Sequence, residues 1–142
     1  TMSTEVTEHV GPITIWRKEL REGSGGAGAQ RGGLGQVIEI SANPGHRIYI
    51  NAMFDRCDNP ARGRDGGQSG SAGGVSLDDE SAMRSKGKQW IPDGRRLVLN
   101  LPGGGGYGNP QGRDKALVRQ DIDRGYISAQ QAKQDYGYGS GG

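Results

Sequence analysis

Leu101-Pro102-Gly103-Gly104-Gly105-Gly106-Tyr107-Gly108-Asn109-Pro110 is the stretch on which the reading of this chain turns. It is entered from Leu97, Leu99 and Leu101, an alternating apolar run of the kind that forms a half-buried strand. It leaves through Asn109-Pro110, a pair that favours a turn. Four consecutive glycines cost conformational entropy. They are tolerated mainly where the chain needs positive φ or where another backbone or a ligand must approach closely. The segment therefore offers peptide groups where most loops offer side chains.

The same chemistry recurs along the chain. There are 28 glycines in 142 residues, against a usual level of about 7%. Most of them fall in three bounded clusters, Gly23 to Gly35, Gly63 to Gly74 and Gly103 to Gly108, separated by periodic apolar segments, with a short Tyr-Gly-Ser tail besides. That is a layout of strands and long loops rather than of low complexity. Hydrophobic residues make up 31% and the formal net charge is +2. Disorder normally combines low hydrophobicity with high charge, so an ordered domain with a thin core is expected, one that needs a neighbour to cover its apolar faces.

Strands dominate the rest. Ile13 and Ile15 alternate with Thr14 and Trp16, and Gln36 to Ile40 forms a second run. After the turn Asn43-Pro44-Gly45, the segment Arg47 to Phe54 places Ile48, Ile50, Ala52 and Phe54 on one face and Tyr49, Asn51 and Met53 on the other. Turn and alternation predict an antiparallel hairpin. Val75 to Leu77 is a short strand. Gln89 to Ile91, the turn Pro92-Asp93-Gly94 and Arg95 to Leu101 predict a second hairpin. Beyond Pro110 the period becomes helical: Leu117, Val118 and Ile122 share one arc of a helix from Arg113 to Arg124, and Gly125 stands where a left-handed terminator belongs. Ser128 with Gln131 is a capping box for a second helix, with Ile127 placed to pack back on Ala132. The expected fold is mainly β, with antiparallel strands and long glycine-rich loops in a sandwich or barrel-like arrangement, followed by a short C-terminal helical hairpin. Residues 1–110 form the β-rich domain, 111–137 the helical pair packed on it and 138–142 a tail that frays.

Several chemistries are excluded by what is missing. Gly103, Gly105 and Gly108 match G-x-G-x-x-G, with Asp121 and Asp123 in the helix beyond. The context fails, because Asn109-Pro110 delays the helix and no parallel strand follows. No Walker A sequence occurs. His9, His46 and Cys57 lack zinc spacing, and Asp55, Asp58, Asn59 and Asp65 lack EF-hand spacing. Arg56, Arg62 and Arg64 are interleaved with these acids, so no basic face for nucleic acid forms. Ser24, Ser69, Ser71 and Cys57 have no histidine at recognisable spacing, which argues against a self-contained hydrolase. The lone cysteine and the lack of an apolar run long enough to span a bilayer lead us to expect a cytoplasmic protein.

Five ordered motifs carry a resemblance. Ser24-Gly25-Gly26-Ala27-Gly28, Arg31-Gly32-Gly33-Leu34-Gly35, Gly63-Arg64-Asp65-Gly66-Gly67, the tetraglycine segment through Pro110 and Asp135-Tyr136-Gly137 resemble the C-terminal part of the hydantoinase B/oxoprolinase family. The family more often has Asp at the positions of Gly23 and Asn109. The resemblance implies an ATP-dependent enzyme acting on cyclic amides such as hydantoins or 5-oxoproline, or a related ketone carboxylase. It implies no cofactor in this chain, with ATP and a divalent cation held by an A-type partner subunit, and the rest of the B-type subunit as a further partner. On that reading Ser24, Gly25, Gly26, Gly28 and Arg31, with Gly103, Gly104, Gly105, Gly106 and Tyr107, are the candidate loops bordering substrate or an anion, since successive backbone N–H groups can form an anion-binding nest. The alternative is that the loops are tight connections within a structural or subunit-assembly domain.

Overall fold

A computed structural model describes residues 3–139. The chain opens with helix α1 (Thr4–Val10), which the sequence reading missed. It is capped by the Ser3 side chain accepting from the Val6 N–H, and it has no buried residue. Among the described residues six strands follow: β1 (Ile13–Leu20), β2 (Gln36–Ala42), β3 (Tyr49–Met53), β4 (Gly74–Leu77), β5 (Lys86–Trp90) and β6 (Leu97–Asn100). A single 3-10 turn, Pro110–Gly112, leads to α2 (Lys115–Asp123) and α3 (Ala129–Tyr136). The fold is mainly antiparallel β with a C-terminal helical pair, and its sheets stay open rather than closing into a barrel.

Both predicted hairpins are corrected. One sheet has the order β1-β2-β6-β4, and the other pairs β3 with β5. β2 therefore bonds to β1 and β6, and β3 bonds to β5. The turns at Asn43-Pro44-Gly45 and Pro92-Asp93-Gly94 carry the chain from one sheet to the other instead of folding it back on itself. Turn chemistry reports a change of direction and not the partner that follows.

The two sheets share one core. Val75, Ile91 and fully buried Leu97 pack with Ile40, Ile48, Ile50, Phe54, Leu77, Met83 and Leu99. The predicted two faces of β3 hold: Ala52 is buried while Tyr49 and Met53 stand in solvent. At the edge strand β1, the Glu8 carboxylate of α1 accepts from the Ile15 N–H at 2.6 Å, and the ladder slips between Ile15 and Arg17. A bulge and a capped amide both discourage further strand pairing at an edge.

The helical pair begins with Asp114, whose side chain accepts from the Ala116 N–H at 2.8 Å. Gly125 ends α2 with φ 67°, as expected. Ser128 caps α3 through the Gln131 N–H. Gln131 does not return the bond, its amide donating to the Gly23 carbonyl at 3.3 Å. Val118, Ile127, Ala132 and Tyr136 bury against Ala27, with Ile122 and Tyr138 alongside. Leu117, expected on the inner arc, is exposed. Tyr138 packs on this cluster and Gly139 is an exposed turn residue, while residues 140–142 of the tail expected to fray lie outside the described residues.

Candidate functional site

The three glycine clusters meet in one place, and they meet through their backbones. The Gly26 N–H donates to Gly104 O at 2.8 Å, and the Gly104 N–H to Gly33 O at 2.9 Å. Gly103 N–H donates to Ser71 O, Ser71 N–H to Ser24 O, Gln68 N–H to Ala27 O, and Gly106 N–H to Gln68 O. Each of the segments 24–35, 61–74 and 103–108 thus bonds to both of the others, as a three-sided bundle rather than a flat ladder. Glycine is required by proximity. A Cβ on Gly26 would overlap Gln68 O and Gly106 N, one on Gly106 would overlap Ala27 O, and one on Gly105 would overlap Arg62 O. None of Gly103, Gly104, Gly105 and Gly106 has positive φ, the left-handed turn falling at Gly108 instead, with φ 74°. Of the two reasons for a run of glycines, close approach is the one this segment uses.

Ser24, Gly25, Gly26, Gly28, Gly103 and Gly106 are buried, while Gly104 and Gly105 are half-buried. Ser24 is 1% exposed. Its hydroxyl donates to Arg21 O at 2.6 Å and accepts from the Gly35 N–H at 2.8 Å, so it acts as a rivet between two turns and has no base to activate it. An anion nest needs successive free N–H groups, and those of Gly103, Gly104 and Gly106 are engaged inside the bundle. Tyr107 stands outside, 55% exposed, in backbone bridges with Gln30 on one side and Arg64 on the other.

Arg31 turns away from solvent to a cluster that sequence reading did not assemble. Its Nε donates to Asp121 Oδ2 at 3.1 Å and its Nη1 to Gly32 O at 2.8 Å. Arg113 Nη2 reaches the same Oδ2 at 2.7 Å, and its Nη1 bonds Ala29 O at 3.1 Å. Arg31, Arg113 and Asp121 have side-chain exposures of 14%, 8% and 7%. The guanidiniums also lie over aromatic rings, Arg31 over Tyr126 at 5.3 Å and Arg113 over Tyr136 at 5.9 Å. Burial pushes the Tyr136 hydroxyl above the ordinary phenol value, opposed by the neighbouring Arg113 charge and by the Gly28 N–H. One carboxylate between two arginines clamps the helical pair to the glycine bundle. The signal for it was present: Asp121 falls on the same helical arc as Val118 and Ile122, a carboxylate where an apolar residue is due.

Elsewhere the chemistry is sparse. An open depression lies between the two inter-sheet turns, lined by Ala42, Asn43, Pro44, Gly45, His46, Arg47, Asp93 and Gly94. Arg47 and Asp93 close on each other across it at 3.3 Å, and His46 Nδ1 faces Pro44 O. Among the described residues no group of three or more His, Cys, Asp or Glu is arranged to hold a metal, and no helix is long and apolar enough to cross a membrane.

Comparison with known proteins agrees with the motifs. The family model described as Hydantoinase B/oxoprolinase matches residues 1–110. An uncharacterized protein of Methanocaldococcus jannaschii is 36% identical over 93% of this chain and 24% of its own. The B-type subunit of a putative D-/L-hydantoinase from a Pseudomonas strain is 32% identical over 89% of this chain and 22% of its own. The crystal structure of the ATP-dependent caprolactamase of Pseudomonas jessenii superposes with a TM-score of 0.79 at 26% identity, covering 100% of this chain and 26% of that one. The chain therefore spans about a quarter of the length of the relatives it matches.

Proposed function

Because the chain belongs to the hydantoinase B/oxoprolinase family, we propose that it is the C-terminal part of the B-type subunit of an ATP-dependent cyclic-amide hydrolase, active only within the assembled enzyme. ATP and a divalent cation belong to an A-type partner, and the complex works in the cytoplasm. The observation that supports this division is internal saturation. The Ser24 hydroxyl and the amides of Gly103, Gly104 and Gly106 are all spent inside the bundle. The chain offers a rigid scaffold to a reaction centre completed by other parts of the enzyme. Its rim, the half-buried Gly104 and Gly105 with the exposed Tyr107, is where such a centre would border it.

Relatives named as subunits of a hydantoinase and as a caprolactamase set the substrates to try. The complete B-type subunit is combined with its ATP-binding partner and offered hydantoin, 5-oxoproline and caprolactam. ADP release coupled to ring opening, absent for the 142-residue chain alone, is expected. Turnover by the isolated chain would overturn the division of labour. ADP release coupled to bicarbonate and a ketone, with no ring opening, would replace the hydrolase with a carboxylase.

A further inference from the structure

The outer face of the small sheet gathers exposed aromatic, thioether and cationic side chains. The register of β3 and β5 sets Tyr49 opposite Trp90, Asn51 opposite Lys88 and Met53 opposite Lys86, and all six residues are exposed. Tyr49 and Trp90 meet edge to face with ring centroids 5.2 Å apart. Lys88 Nζ lies 4.1 Å from the Tyr49 ring centroid, and the Arg47 guanidinium 5.6 Å from that of Trp90. Met53 is 74% and Trp90 57% exposed. The inner face of this two-stranded layer supplies Ile50 to the core, and among the described residues no second layer covers its outer side.

Tyr, Trp, Met and Arg on one patch form the composition that marks the centre of a protein interface. Arg47, Lys86 and Lys88 outnumber the two acids beside them by one cation. Among the described residues the carboxylates paired on this patch stand at its margins, Asp55 on Lys86 and Asp93 on Arg47, and Lys88 has no carboxylate partner. A complementary surface is apolar with at least one acid aimed at Lys88. All of this chain maps onto 26% of the caprolactamase chain, so three quarters of such a polypeptide lie outside these residues. We propose that the β3–β5 outer face is the seat of the remainder of the B-type subunit, with Trp90 and Tyr49 as the apolar anchor and Lys88 as the charge that sets register. The proposal rests on the reading of the chain as part of that subunit.

Hydroxyl-radical footprinting read by mass spectrometry tests it, comparing the 142-residue chain with the complete B-type subunit. Trp90 should be oxidised about tenfold more slowly in the complete subunit, as befits a desolvated anchor. Lys88→Glu should return it toward the rate of the free chain, and Lys88→Arg should keep it protected. Equal oxidation in both forms would overturn the proposal. So would protection that appears only when the ATP-binding subunit is added, or protection in the 142-residue chain that rises with its concentration, which would mean a second copy. Ring-opening activity is measured on the same complex. An active complex with Trp90 open overturns the docking and leaves the enzyme reading standing, while an inactive complex with Trp90 covered does the reverse.

Discussion

The two-sheet core and the glycine bundle fill their interiors in opposite ways. Around Leu97 the space is occupied by side chains from four strands and their flanks, and stability comes from apolar surface removed from water, about 1.5–3 kcal/mol for each large aliphatic group. Between the segments 24–35, 61–74 and 103–108 the space is occupied by main chain. There the order comes from peptide hydrogen bonds that only glycine lets approach so closely. A composition with 31% hydrophobic residues suggests a thin core, yet part of this interior needs no side chains at all. The two regions should therefore differ in what they tolerate. A side-chain core can exchange one aliphatic group for another at modest cost, whereas a backbone core cannot accept a methyl at those glycines that have another main chain against them.

The largest effect is expected where the helical pair is clamped to the glycine bundle. Asp121→Asn leaves Arg31 and Arg113 facing each other without a counter-charge, and removing one partner of a buried ion pair costs about 3–5 kcal/mol. Chemical denaturation should show that loss, and hydrogen exchange should show α2 and α3 opening before the sheets. A loss below about 1 kcal/mol would mean that the cluster is solvated and clamps nothing. Leu97→Ala in the side-chain core should cost about 3 kcal/mol through lost transfer energy and a residual cavity. Leu97→Ile should recover most of this, and if the two variants melted alike the side-chain account of that core would fail.

Much of the β architecture was legible because its signals are periodic. The alternation of Ile48, Ile50 and Ala52 against Tyr49 and Met53 reports which side of β3 is buried, and Gly125 and Ser128 mark helix ends by local chemistry alone. Strand partners were not legible. The pairing of β3 with β5 and of β2 with β6 depends on where two turns send the chain across sheets, a long-range property absent from turn residues. The short helix α1 was missed because it buries nothing and so carries no apolar stripe. For the candidate site, glycine spacing announced close approach, but whether the neighbour would be a ligand or another backbone is decided by segments far away in the sequence. The Arg31–Asp121 contact, 90 positions apart in sequence, left only the trace of a carboxylate on an apolar arc.

Backbone packing is tested most directly by one pair of alanines in the glycine segments. Gly33 has nothing within 4 Å of a Cβ, whereas a Cβ on Gly105 falls on the Arg62 carbonyl. Neither residue has positive φ, so strain in φ does not separate them. Gly33→Ala should leave stability unchanged or raise it by about 0.5 kcal/mol through lost unfolded-state entropy. Gly105→Ala should lower it by about 2 kcal/mol or more through overpacking. Equal melting of the two variants would contradict the claim that this interior is built from main chain.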